Sequence, residues 1–164
     1  MRLNSPQINI ITKACMKASR SLIRDFGEIE NLQDSSKGPG DFVTSADKRT
    51  EKIIIQELQK AHPDYGIITE ESEIINKANT DNRWIIDPID GTKALIAGQP
   101  TWSNLISLYY NNEPVFGMAN FPVLNKIYYG DRFGSYLIEK KKTRIQSSKL
   151  KYIKKSIMNK KNTN

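Results

Sequence analysis

Three carboxylates follow short runs of isoleucine: Glu70 comes after Ile67-Ile68-Thr69, Asp87 after Ile85-Ile86, and Asp90 after Ile89. Runs of β-branched residues read as buried strands. An unpaired carboxylate at the edge of a core is costly, so a cation or a solvated turn must compensate it. In Asp87-Pro88-Ile89-Asp90-Gly91-Thr92 the spacing predicts that the strand ends at Asp87, that Pro88 forces a turn, and that Asp87 and Asp90 converge from it. Gly91 and Thr92 then open a short helix or turn, whose free N–H groups and positive dipole end favour a phosphate. Mg²⁺ suits oxygen ligands of this kind, and Glu70 could complete a two-metal clamp. Taken alone, Asp87 and Asp90 are also ordinary turn formers.

Other acidic residues have plainer roles. Asp47 fits a capping arrangement over Thr44-Ser45-Ala46-Asp47 at the start of a helix. Glu71 and Glu73 read as solvated, and His62, the single histidine, as a loop residue beside Pro63. There is no G-x-S-x-G elbow, Cys15 and Arg20 lie too close in sequence for a cysteine-phosphatase loop, and D-P-I-D is not the D-x-D of aspartyl-phosphate enzymes. With no covalent nucleophile, hydrolysis would need metal-activated water.

The elements that must position these residues follow from periodicity. A helix is predicted from Ser5 as N-cap, with Ile8, Ile11, Cys15, Ala18 and Leu22 as its inner stripe. A loop over "GEIENLQDSSKGPGD" and a second helix from about Ala46 to Ala61, ended by Pro63, come next. "YGIIT" and "RWIID" read as short strands, and "NLISLYY", "PVFGMANF" and "KIYYG" as a meander with turns at "NNEP" and "PVLN". Two helices on a largely antiparallel sheet make an α+β layer.

A chain of 164 residues fits one domain. The single cysteine forbids an internal disulfide, and no apolar run approaches a membrane span, so a soluble cytoplasmic protein with no membrane partner is expected. The net charge of +7 arises in the tail: from Lys140 onward there are ten Lys or Arg and no Asp or Glu. Tyr152 is the only aromatic there, so nucleic acid is not the expected partner.

"GDFVTSADKRTEKIIIQELQKAHPDYGIITEES" followed by "WIIDPIDGTKALIAGQPTWSNLISLYYNNEPVFGMANFPVLNKIYYG" resembles the amino-terminal half of the inositol monophosphatase family of Mg²⁺-dependent phosphomonoesterases. W-I-I-D-P-I-D-G-T with upstream E-E-S and V-T-x-x-D is a specific combination that displaces the turn-former reading. The resemblance implies the first layers of an αβαβα sandwich, over residues 1–140, and a basic segment 141–164 that starts a second subdomain or is disordered. It implies that Glu70, Asp87 and the Ile89 carbonyl bind one Mg²⁺, while Asp87 and Asp90 bridge toward a second. Asp90, Gly91 and Thr92 form the phosphate side of the site, with Gly91 and Thr92 donating backbone N–H groups. The Thr92 hydroxyl and Asp47 would orient and deprotonate the attacking water polarised beside Glu70, and Lys37 would neutralise charge nearby.

The family's W-D-x-A-A-G-like motif does not occur in the 164 residues. The second half of the fold, one ligand of the second metal and a wall of the substrate pocket are accordingly expected to be missing, with weakened turnover. A homo-oligomer is expected where the other half would pack. The expected activity is hydrolysis of a small inositol-phosphate-like monoester. The alternatives are a histidinol-phosphate phosphatase, since "DGTKALIAGQPTWSNLISL" also resembles that branch, and a non-catalytic protein- or RNA-binding remnant.

Overall fold

The computed structural model describes residues 5–27, 39–70 and 80–146, with side chains from Ile8 on and, in the second helix, from Val43 on. The first helix, α1 (Ser5–Gly27), buries Ile11, Ala14, Cys15, Ala18 and Leu22 along one stripe, as the spacing predicts. The N-cap role expected of Ser5 lies outside the described side chains.

The second helix, α2, runs Pro39–Ala61, so it begins well before the predicted start at Ala46. The start was concealed because Gly38-Pro39-Gly40 reads as loop punctuation, whereas the buried stripe of the helix, Val43, Ala46, Asp47, Thr50, Glu51, Ile54, Ile55 and Leu58, recurs at helical spacing. Thr44 and Asp47 consequently lie inside the helix, and the capping arrangement expected there is not formed. Proline suits the first turn, where its missing N–H has no intrahelical partner to lose. At the other end the helix stops at Ala61, as Pro63 predicts. His62 follows as a half-buried connecting residue whose ring stacks on Tyr65 at 4.5 Å.

Among the described residues seven strands follow in sequential order: β1 (Gly66–Thr69), β2 (Asn82–Asp90), β3 (Ser103–Tyr110), β4 (Glu113–Phe121), β5 (Lys126–Asp131), β6 (Gly134–Ile138) and β7 (Lys142–Ile145). β1 and β2 are parallel and every later pair is antiparallel. The α+β class with a largely antiparallel sheet is therefore as expected, with a further short helix, α3 (Thr92–Ile96), after β2. Asn111 and Asn112 take left-handed conformations (φ 50° and 64°) at the β3–β4 turn, which asparagine tolerates better than most residues. β7 falls inside the basic segment, where Lys142 Nζ rests 4.2 Å from the ring centre of Tyr136.

Among the described residues the core has two parts. Ile11, Cys15 and Ala18 from α1 and Ile54, Ile55 and Leu58 from α2 cover one sheet face, packing on Ile67, Trp84, Ile86, Ile106, Leu108, Phe116 and Met118. Burial pushes the Cys15 thiol up to about 12, so it stays protonated and acts as an apolar filler. A smaller cluster joins Leu22 and Val43 with Ala46, Ile89, Leu95 and Trp102, and this cluster clasps the segment that follows β2. Among the described residues no helix is long and apolar enough to cross a membrane. Leu58 is fully buried while Leu124 is 43% exposed. Chemical denaturation should show about 2–5 kcal/mol lost in Leu58→Ala and about 0.5 kcal/mol or less in Leu124→Ala.

Candidate metal and phosphate site

β2 does not end at Asp87. It continues through Pro88 to Asp90, and the expected turn at Pro88 is a β-bulge. Asp87 pairs with Leu105 and Asp90 with Ser103, so Pro88 and Ile89 together stand opposite Asn104. Leu105 and Ser103 are two apart and share a face of β3, which puts Asp87 and Asp90 on that same face. The one-residue shift thus brings together two carboxylates that an unbroken strand would point apart. Proline is tolerated because a bulged position needs no ladder N–H.

Glu70 reaches the same neighbourhood through the parallel pair. Ile68 is aligned with Ile85 and Thr69 with Ile86, so Glu70, the next residue, follows the register toward Asp87. Gly91 has φ 84°, and a Cβ there would come within 3.4 Å of Trp102 Cα, so glycine is needed to turn the chain into α3. The Thr92 hydroxyl donates to the Ile89 carbonyl at 3.1 Å, and the Ser103 hydroxyl donates to Asp90 Oδ2 at 3.3 Å. Asp47 is buried on α2, immediately after Ala46, which packs in one cluster with Ile89 and Leu95. Lys37, Glu71 and Glu73 lie outside the described residues.

Burial, then the charges of Glu70 and Asp90 and a hydrogen bond shared with Glu70, push the Asp87 carboxyl up to about 6, against the opposing pull of the Ile89 N–H. Asp87 Oδ1 is buried and has no hydrogen-bond partner. Among the described residues no group of three or more His, Cys, Asp or Glu side chains converges closely enough to hold a metal ion as it stands. The donor set nevertheless fits a hard cation: mutually repelling carboxylates, one orphaned oxygen and an adjacent backbone carbonyl are what such an ion ligates.

Sequence reasoning missed four residues around this site: Ser19, Ser103, Asn104 and Asn120, all buried. The signal was available in the alternation. Asn104, Ile106 and Leu108 share the inner face of β3, where an asparagine must find internal partners.

The family model for the inositol monophosphatase family matches residues 3–162. An inositol-1-monophosphatase of Mesorhizobium japonicum is 40% identical over 86% of this chain and 53% of its own length. The Nus factor SuhB of Xylella fastidiosa is 32% identical over 90% of this chain and 53% of its own. The crystal structure of extragenic suppressor protein suhB from Bartonella henselae superposes with a TM-score of 0.75 and 37% identity, covering 89% of this chain and 56% of that one. The chain belongs to the inositol monophosphatase family. It spans about half the length of the curated relatives it matches.

Asp87 binds its proton more tightly in the folded state than in the unfolded chain. Stability is therefore lost as pH rises from 3.8 through about 6, and the loss is complete above that. In metal-free buffer at about pH 7.5, Asp87→Asn should unfold later than the unaltered chain, by on the order of 1 kcal/mol after solvent screening. Denaturation curves at several pH values should show this gap closing toward about pH 4.

Proposed function

We propose that the chain supplies the acidic centre of a site for Mg²⁺-dependent hydrolysis of a small phosphate monoester of the inositol-phosphate type. The observation that carries this reading is the bulge that sets Asp87 and Asp90 on one face, with Glu70 next in register. Glu70, Asp87, Asp90 and the Ile89 carbonyl would hold the cation. Bound Mg²⁺ supplies charge neutralisation at phosphate oxygens and lowers the pKa of water. Gly91 and Thr92 are assigned the phosphate, through their backbone N–H groups. The Thr92 hydroxyl donates its proton to the Ile89 carbonyl in a hydrogen bond, which leaves its oxygen lone pairs free to accept a hydrogen bond from the attacking water and orient it. Asp47 is assigned the proton that the attacking water loses, and the alkoxide, departing from phosphorus on the side opposite the water, takes a proton from solvent to leave as the alcohol. The relatives named inositol-1-monophosphatase favour inositol phosphate over histidinol phosphate as the substrate.

A second reading, a binding module without turnover, draws on the relatives named Nus factor SuhB. Calorimetric titration with Mg²⁺ or Mn²⁺ should reveal a site in the unaltered chain that Asp87→Asn lacks, and equal binding by the two would sink the metal assignment. Phosphate release from inositol 1-phosphate should depend on Mg²⁺ and fall about a hundredfold or more in Glu70→Gln and in Asp90→Asn. Release that survives both substitutions would locate the chemistry elsewhere. Metal binding with no release from any small monoester would favour the second reading.

A further inference from the structure

The buried polar group of Ser19, Asn104 and Asn120 takes no part in the chemistry assigned above, yet it touches the bulge that carries it. Asn104 is fully buried and stands opposite Pro88 and Ile89. Its Nδ2 donates to the Pro88 carbonyl at 2.6 Å. Its Oδ1 accepts from Asn120 Nδ2 and from Ser19 Oγ, each at 2.8 Å, and Asn120 Nδ2 also donates to Ser19 Oγ at 2.9 Å. Asn120 is the direct cross-strand partner of Asn104, so the two amides meet across neighbouring strands. These contacts fix the sense of the Asn104 amide. Reversed, it would set its oxygen against the Pro88 carbonyl and its NH₂ against that of Asn120.

The Pro88 carbonyl and the Ile89 N–H belong to one planar peptide unit. That N–H favours the ionised form of the neighbouring Asp87 carboxyl. A single rigid plane therefore joins Asn104 at one edge to Asp87 at the other. Turning the plane over would aim the carbonyl at the carboxylate and strip the buried Asn104 amide of its acceptor, two unfavourable changes at once. We propose that Asn104 is a positioning residue of the acidic site, clamping the Pro88–Ile89 peptide so that the bulge holds Asp87 and Asp90 on one face. The consequence for metal binding rests on the function proposed above, whereas the clamp itself does not.

Amide hydrogen exchange in the metal-free full chain, resolved by NMR, tests the clamp. In Asn104→Leu the Ile89 amide should exchange about tenfold faster or more relative to the Ile106 amide, which lies in the β3 ladder. Asn104→Ser, whose hydroxyl is too short to reach Pro88, should behave alike and serves if the leucine variant does not fold. Met118→Ala, a core change on the same inner face, should lower the melting temperature and leave the ratio of Ile89 to Ile106 exchange unchanged. A ratio unchanged in both Asn104 variants, or raised equally in Met118→Ala, would overturn the proposal and leave Asn104 a core residue only. Mn²⁺ titration adds a second readout, expected to show about tenfold weaker binding in Asn104→Leu than in Met118→Ala. Unchanged affinity, in a chain that does bind Mn²⁺, would overturn the positioning role. If the unaltered chain binds no Mn²⁺, the metal assignment falls, and the exchange ratio still decides the clamp.

Discussion

Side chains alternate faces along a strand, so Asp87 and Asp90, three residues apart, would look away from each other on an unbroken β2. The extra residue at Pro88–Ile89 cancels that separation, and much of the surrounding packing holds the irregularity in place. Leu22 comes from α1, Val43 and Ala46 from α2, and Trp102 from the approach to β3. Together they enclose Ile89 and Leu95, on either side of the turn at Gly91. Both long helices thus have two tasks: they cover the inner sheet face, and with their other buried residues they brace the segment where β2 leaves the sheet.

The price of this arrangement is visible in the carboxylates. Asp87 is crowded by Glu70 and Asp90 and keeps one buried oxygen without a partner, a state that opposes folding whenever all three are ionised. A sequence selected for stability alone would place an amide or an apolar residue there. Nearby polar groups are treated differently. Ser103 donates to Asp90, Thr92 to the Ile89 carbonyl, and Asn104 to the Pro88 carbonyl, so the backbone of the bulge is satisfied while its most buried carboxylate is not. Satisfaction around an unsatisfied charge is the pattern of a rigid frame that leaves one position for a ligand.

What the sequence made legible was whatever depended on residue type within a few positions. α1, the C-terminal half of α2, and the strands β1 and β3 to β5 follow from apolar spacing, and the turn at Asn111-Asn112 from the tolerance of asparagine for left-handed backbone. The acidic residues were recognisable because so many carboxylates beside isoleucine strands need an explanation. The beginning of α2 was hidden, since Gly38, Pro39 and Gly40 punctuate the chain as a loop does, although proline is well suited to a first helical turn. The bulge was hidden too. Pro88 announces a break in the ladder, but whether the chain turns or bulges depends on what stands opposite, and Asn104 lies on another strand. β6 and β7 are short, partly exposed and rich in charge, so their pairing follows from the neighbouring strand more than from their own pattern.

The three carboxylates are not equivalent, and the difference lies in their surroundings. Asp90 is exposed and receives the Ser103 hydroxyl, while Glu70 is exposed just past the end of β1. Asp87 has a buried oxygen without a partner, and its carboxyl is pushed up to about 6. A positive charge beside it would oppose the repulsion that Glu70 and Asp90 exert on its ionised form. The Ile89 N–H already favours the ionised form, and that N–H is aimed by the peptide plane that Asn104 holds. A neutral amide buried in the core thus reaches, through one planar peptide, the carboxylate on which the acidic cluster turns.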